Sequence, residues 1–181
     1  MRRSRVAAAA AVVALGGAAG AGIALRGRPA AAHSGAAVVG APAPSFAALS
    51  GDRGHAVLLS FLDTQAPARV GNDPSRAQIP FIKSMDAQNR GAGLRTLIVD
   101  TGGAGRDALV NFTYDWAVPH SVSVVGDPHG TIARAYHVAA VPTTVLIDRR
   151  GIVRRRWNGF AAAAELDFAV RPLVGRREPG S

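Results

Sequence analysis

Along most of this chain the hydrophobic positions fall into two patterns. Short, nearly unbroken apolar runs are bounded by turn residues. Between them lie longer segments with apolar residues every three or four positions. Ala56 to Leu62 is a run of the first kind and predicts a strand covered on both faces, central in a sheet. Leu94 to Asp100 predicts a second strand, parallel to the first through a right-handed crossover. Val122 to Val125 predicts a short third strand. Val145-Leu146-Ile147 is again fully apolar. Asp148 to Gly151 has turn chemistry, and Ile152-Val153 can return as the other arm of a hairpin.

The helical pattern fills the gaps. Asp73 is suited to cap a helix and Pro74 to occupy its first position. Ile79, Ile82 and Met85, with Phe81, give that helix an apolar face. Pro80 lies inside it and predicts a kink, and Gly91 and Gly93 mark its end. Asp107 opens a helix with Ala108, Leu109, Phe112 and Trp116 on one face. Thr131 to Tyr136 predicts a short helix. Ala161 to Leu173 predicts the last one, burying Leu166, Ala169, Val170 and Leu173. Thr101 to Gly105 is a loop whose glycines are too irregular for a phosphate-binding fingerprint.

Composition adds a second layer. With 181 residues, 48% of them apolar, the chain can build one domain with a core and an N-terminal addition. The net charge is +9; Arg2, Arg3, Arg5, Arg26 and Arg28 lie in the first 32 residues without an acid, and taking these five away leaves +4. Arg149-Arg150 and Arg154-Arg155-Arg156 form a basic stripe about the hairpin, expected as a solvated edge where charge blocks stray strand pairing. Nucleic-acid binding would need aromatic platforms and a recognition motif, and neither is present.

The first 32 residues read as a signal peptide or an N-terminal membrane anchor. Met1 to Arg5 is a positive n-region, Val6 to Leu25 carries no charge, and Pro29-Ala30-Ala31-Ala32 offers an Ala-x-Ala cleavage site. Export with cleavage is the favoured reading; retention would make residues 6–25 a membrane anchor. Either route predicts an extracytoplasmic domain, secreted or on the outer face of the cytoplasmic membrane. Residues 33–44 read as a linker, 45–175 as the folded domain and 176–181 as a loose tail.

Asp127, Gly130, Ala133, Tyr136, Val138, Val141, Pro142, Thr143, Thr144, Leu146, Ile147, Asp148 and Gly151 keep the spacing of a known pattern. It resembles the cis-proline strand of the redoxin branch of thioredoxin-like proteins, the thiol–disulfide oxidoreductases and peroxiredoxin relatives of bacterial envelopes. Gly40 to Phe46 resembles the start of redoxin domains, so Phe46, Ala48 and Leu49 are expected to continue a first strand. The resemblance implies an α/β, three-layer thioredoxin-like fold: a central mixed sheet flanked by helices, with a cis-proline loop.

The same resemblance locates an altered site. In the family the first central strand leads into a Cys-x-x-Cys box whose second cysteine starts a long helix. This chain has no cysteine at all. Matching Phe61 and Thr64 to the family puts Ala66 and Arg69 at the two cysteine positions. Matching Ser75 to Pro80 instead puts Ser75 at the helix-starting cysteine, with Asn72-Asp73-Pro74-Ser75 in place of the box. Both registers leave the site without a thiol. Disulfide exchange needs an attacking thiolate and a second sulfur, and peroxide reduction passes through a sulfenic acid. A serine hydroxyl is not ionised at neutral pH and supplies neither.

What survives is the peptide-binding face the family uses. There the backbone of the residue before the cis-proline pairs with an extended peptide. By resemblance the binding residues are Gln65, Ala66, Asp73, Pro74, Ser75, Val141 and Pro142, and the partner an extended peptide or envelope protein. Pro142 could equally be kept for the fold alone. No cofactor is implied. His137, in the place of the family's usual glycine, is the one metal candidate; it lacks the sulfurs that soft copper prefers, and a surface histidine is the better reading. Ser75 with His137 lacks a nucleophile elbow and a third partner. Asp63, Asp73 and Asp127 read as caps and turn residues. Two functions follow: a non-catalytic binding module of the envelope, or a redox protein working through a partner's cysteine or a bound metal.

Overall fold

The computed structural model describes residues 37–65 and 73–175. The expectations for residues 1–32, for the first part of the 33–44 linker, for Ala66 and Arg69, and for the 176–181 tail lie outside the described residues.

Ala56–Leu62 forms β1, and every residue of it is buried, as the nearly unbroken apolar run requires; its one polar residue, Ser60, shares a hydrogen bond with Thr144. Leu94–Asp100 is β2, Val122–Gly126 β3, Thr143–Ile147 β4 and Val153–Asn158 β5. The five strands make one mixed sheet in the order β3-β2-β1-β4-β5. β1 pairs parallel with β2 and antiparallel with β4; β2 pairs parallel with β3, and β4 antiparallel with β5. β1 is therefore the middle strand, as its burial demands. β5 is an edge strand: only Val153 of it is buried, Arg154, Arg155 and Asn158 are exposed, and Arg156 and Trp157 are half-buried.

The helices lie on both faces. Pro74–Asn89 is α2, Arg106–Asp115 α3, Thr131–Ala135 α4 and Ala163–Val170 α5. Leu58, Leu146 and Met85 cluster with Leu166 and Val170 of α5, while Leu62, Ile98 and Phe112 of α3 cluster with Ile79 and Ile82 of α2. On the opposite face Val57, Leu59, Phe61, Val145 and Val153 surround the buried Tyr136, with Phe46 and Ile132 against them. The Tyr136 hydroxyl donates to the Pro44 carbonyl at 2.7 Å. Burial raises its pKa above the ordinary phenol value.

Two expectations are corrected. Residues 46–49 do not continue a strand. Ala47–Ser50 is a one-turn helix, α1, with Phe46 as its N-cap residue. Phe46 packs edge-on against Tyr136, and that tertiary contact sets the local conformation. Nor is the end of the linker stretch a tether. Gly40 N–H donates to Val153 C=O at 2.8 Å, Ala43 N–H to Gly151 C=O at 2.8 Å, and Val153 N–H to Ala41 C=O at 3.0 Å. Residues 40–43 thus cover the turn-proximal part of the β5 edge. Pro80 does not end α2, which runs on to Asn89.

Candidate functional site

Three loops converge at one end of the sheet because of strand register. Leu62 and Asp100 are paired at the C-terminal ends of parallel β1 and β2. β4 runs the other way, with Thr143 opposite Phe61, so the loop that leads into it reaches the same end. The start of α2 joins them, since Asp63 N–H donates to Ser75 Oγ at 3.3 Å. The Val141–Pro142 peptide bond in the third loop is cis.

The start of α2 is built locally. Asp73 Oδ1 accepts from Ser75 N–H at 2.8 Å and Arg76 N–H at 3.1 Å, and Pro74 fills the first turn. These contacts satisfy two of the amide groups that a helix start leaves without partners. Ser75 stands inside that first turn. It was expected to line the peptide face, but it is only 3% exposed. Its oxygen is turned inward as the acceptor for Asp63. Gln65 and Pro74 are exposed, Asp73 and Val141 half-buried and Pro142 buried. His137 is exposed, with a left-handed backbone at φ 50°. Among the described residues no group of three or more histidine or acidic side chains is placed to hold a metal.

The dominant polar feature of this end is Asp100, which the pattern of apolar runs left as a strand terminus. Its side chain is fully buried. Oδ1 accepts from Thr64 N–H at 2.9 Å, Thr64 Oγ1 at 2.7 Å and Gly102 N–H at 3.2 Å; Oδ2 accepts from Ala104 N–H at 2.8 Å. One carboxylate thus ties the loop after β1 to the loop after β2. Asp63 closes its own turn, accepting from Gln65 N–H at 2.9 Å. Asp63 and Asp100 both crowd Gly102, where a methyl group would collide with the Asp63 carboxylate. An acidic residue closing a buried strand just before Gly-Gly was the one sequence signal for this knot.

The proline loop is clasped from the other side. Arg156 on β5 donates Nη1 to Tyr136 C=O at 2.6 Å and Nη2 to His137 C=O at 2.9 Å, and its Nε to Asn158 Oδ1 at 2.8 Å. Burial draws its pKa below the ordinary arginine value. Gly159 N–H donates to Pro142 C=O at 2.8 Å, and Thr143 Oγ1 to Ala140 C=O at 2.7 Å. Val141 differs from its neighbours: neither its N–H nor its C=O has a hydrogen-bond partner among the described residues. Ala139 and Ala140 beside it are exposed. A cavity of about 560 Å³ between α3 and β3, lined by Val110, Tyr114, Val118 and His120 among others, shares no residue with this site.

A mixed five-stranded sheet, a long helix starting where its central strand ends, and a cis-proline loop at the same end of the sheet define a thioredoxin-like domain. No family model matches the chain, and no curated protein matches it. Solved structures do. A thiol:disulfide interchange protein DsbE from Chlorobium tepidum is 29% identical, with a TM-score of 0.64 over 75% of this chain and 97% of that one. A secreted Mycobacterium tuberculosis disulfide oxidoreductase homologous to DsbE is 20% identical, with a TM-score of 0.56 over 68% and 86%. The thioredoxin domain of a Bacteroides vulgatus thiol-disulfide oxidoreductase shares the fold at 13% identity, with a TM-score of 0.60 over 75% and 98%. The fold is thioredoxin-like, similar to that of these thiol–disulfide oxidoreductases, and the chain has no cysteine.

Proposed function

We propose that this protein is an exported, non-catalytic binding module of the cell envelope that holds an extended segment of a peptide or partner protein at the Val141–Pro142 loop. The observation that carries the reading is the unpartnered backbone of Val141. Val141 is partly exposed, and an added strand supplies partners to its amide and carbonyl at once. Exposed Gln65, Ala139 and Ala140 flank the place such a strand would take. The absence of any cysteine removes thiol exchange and sulfenic-acid chemistry from the chain itself. The export signal in residues 1–32 and the secreted character of one relative support the envelope location.

The test has two arms. Insulin reduction and peroxide consumption by the purified protein are measured against a heat-killed control, and no excess turnover is expected. A pull-down from envelope extract then compares the wild type with Pro142→Ala and with Gln65→Ala, both checked for folding by circular dichroism. Partners retained by the wild type and lost by folded variants support the reading. Catalytic turnover, or retention unaffected by both variants, overturns it.

A further inference from the structure

The two edges of the sheet are defended differently. β5 carries the exposed Arg154 and Arg155, and residues 40–43 bond to its turn-proximal end. β3 is the other edge. Its stretch from Ser121 to Gly126 has no charged residue and no proline. Charge, proline and covering segments are how proteins keep a free edge from pairing, so an edge without them is open to an added strand.

Register shows which groups this edge offers. Asp127 N–H donates to the Asp100 carbonyl of β2 at 3.0 Å. By the two-residue alternation of a strand, Ser123 and Val125 also turn their amides to β2, while Val122, Val124 and Gly126 turn theirs outward. Val122 N–H is already taken, donating to Pro119 C=O at 2.9 Å. Val122 C=O, Val124 N–H and C=O, and Gly126 N–H have no hydrogen-bond partner among the described residues. An antiparallel copy of the same strand, related by a two-fold axis at Val124, matches this set. The two Val124 residues bond each other in both directions, and each Gly126 N–H meets the Val122 C=O of the other copy. The amide with no role in that ladder, Val122 N–H, is the one already bonded within its own chain.

Side chains fit the same occupant. Val124 lies on the face that packs with Phe112 of α3, and the two-fold sets it opposite its own counterpart. Beside it, Val110 and Tyr114 of α3 are 58% and 85% exposed, and they line the 560 Å³ cavity that Val122 also borders. On the other face Ser123 meets Val125. No like charges oppose each other along the strand.

We propose that β3 pairs antiparallel with β3 of a second copy of this chain, centred on Val124, to give a symmetric dimer with one sheet continuous across both copies. β1 and β2 stand between this edge and β4, so the proposal does not depend on what the Val141–Pro142 loop binds. A five-residue strand makes a short seam, so the dimer should form and part with concentration.

The test follows the protein, as the cell produces it, by sedimentation velocity over a concentration series. The average mass should rise from one chain toward two. Val124→Pro removes an outward amide and leaves the β2 ladder intact. Two central bonds are lost per dimer, so the folded variant should associate roughly 30-fold more weakly or not at all. Arg155→Gln, on the other edge, should change nothing. The absence of native cysteine allows register to be read by cross-linking. Ser123 of one copy and Val125 of the other form a pair with Cα atoms about 4.5 Å apart, within the span of a disulfide. With oxidised glutathione, a mixture of Ser123→Cys and Val125→Cys should cross-link far faster than either variant alone. A protein that is monomeric at every concentration overturns the proposal and leaves the edge to another chain or to none. So does a dimer undiminished in folded Val124→Pro, or a single cysteine variant that cross-links as fast as the mixture. If Val124→Pro does not fold, the cross-linking rates decide.

Discussion

Asp100→Ala should be the most damaging single substitution at the sheet end that carries the site. The carboxylate is fully buried and accepts four hydrogen bonds, from Thr64 N–H, Thr64 Oγ1, Gly102 N–H and Ala104 N–H. Gly102 is exposed, so water can replace its partner. Ala104 is buried and Thr64 half-buried, so their amides are left stranded. A stranded donor costs roughly 1–3 kcal/mol. Two of them give a loss of about 3 kcal/mol, after allowing for relief of burying a charge next to Asp63. That is a large fraction of the roughly 5–15 kcal/mol that holds a domain together. Asp100→Asn keeps one acceptor oxygen and should lose about half as much. Urea unfolding followed by far-UV circular dichroism reads the difference as a lower midpoint at unchanged slope. Hydrogen exchange at the Thr64 and Ala104 amides should accelerate in parallel. A loss below about 1 kcal/mol for the alanine variant, or unchanged exchange at those two amides, would refute the knot as the element that fixes the site loops.

Three further outcomes follow from the same contacts. Tyr136→Phe removes the 2.7 Å bond to the Pro44 carbonyl and should cost about 1–2 kcal/mol in the same urea assay, with no change in the sheet signal. Burial by itself would raise the Asp148 pKa, but the Ile152 amide, the Arg154 side chain and the Arg150 amide outweigh it and hold the carboxyl below the usual carboxylate value. Its contribution is therefore present above the unfolded-state pKa, near 3.8, and is lost as pH falls through the lower folded-state value. Asp148→Asn should consequently lose stability at neutral pH and show a shallower acid-induced loss below about pH 4, measured by thermal melts across pH. Ser75→Cys places a thiol in the first turn of α2 at a site only 3% exposed. With no second cysteine it should label slowly with a thiol reagent when folded and should not speed insulin reduction by dithiothreitol.

The middle of the sheet was legible in the chain because burial on both faces demands nearly continuous apolar runs, and Ala56 to Leu62, broken only by Ser60, and Val145 to Ile147 have them. The start of α2 was legible too, because capping is local chemistry: Asp73 and Pro74 act on amides within three residues. The absence of sulfur is a property of the sequence alone, and it removes thiol chemistry whatever the fold. The rest depended on partners far away in the chain. Residues 46–49 became helix because Phe46 packs on Tyr136, ninety positions on. Ser75 turned inward because the Asp63 amide, across a loop, supplied a donor. Asp100 became the knot between two loops, and Arg156 the clasp on the proline loop, only once strand register had brought their partners near. Local propensity and covalent composition are written residue by residue. Which polar groups are left unpaired, Val141 among them, is decided when distant segments meet and use up one another's donors and acceptors.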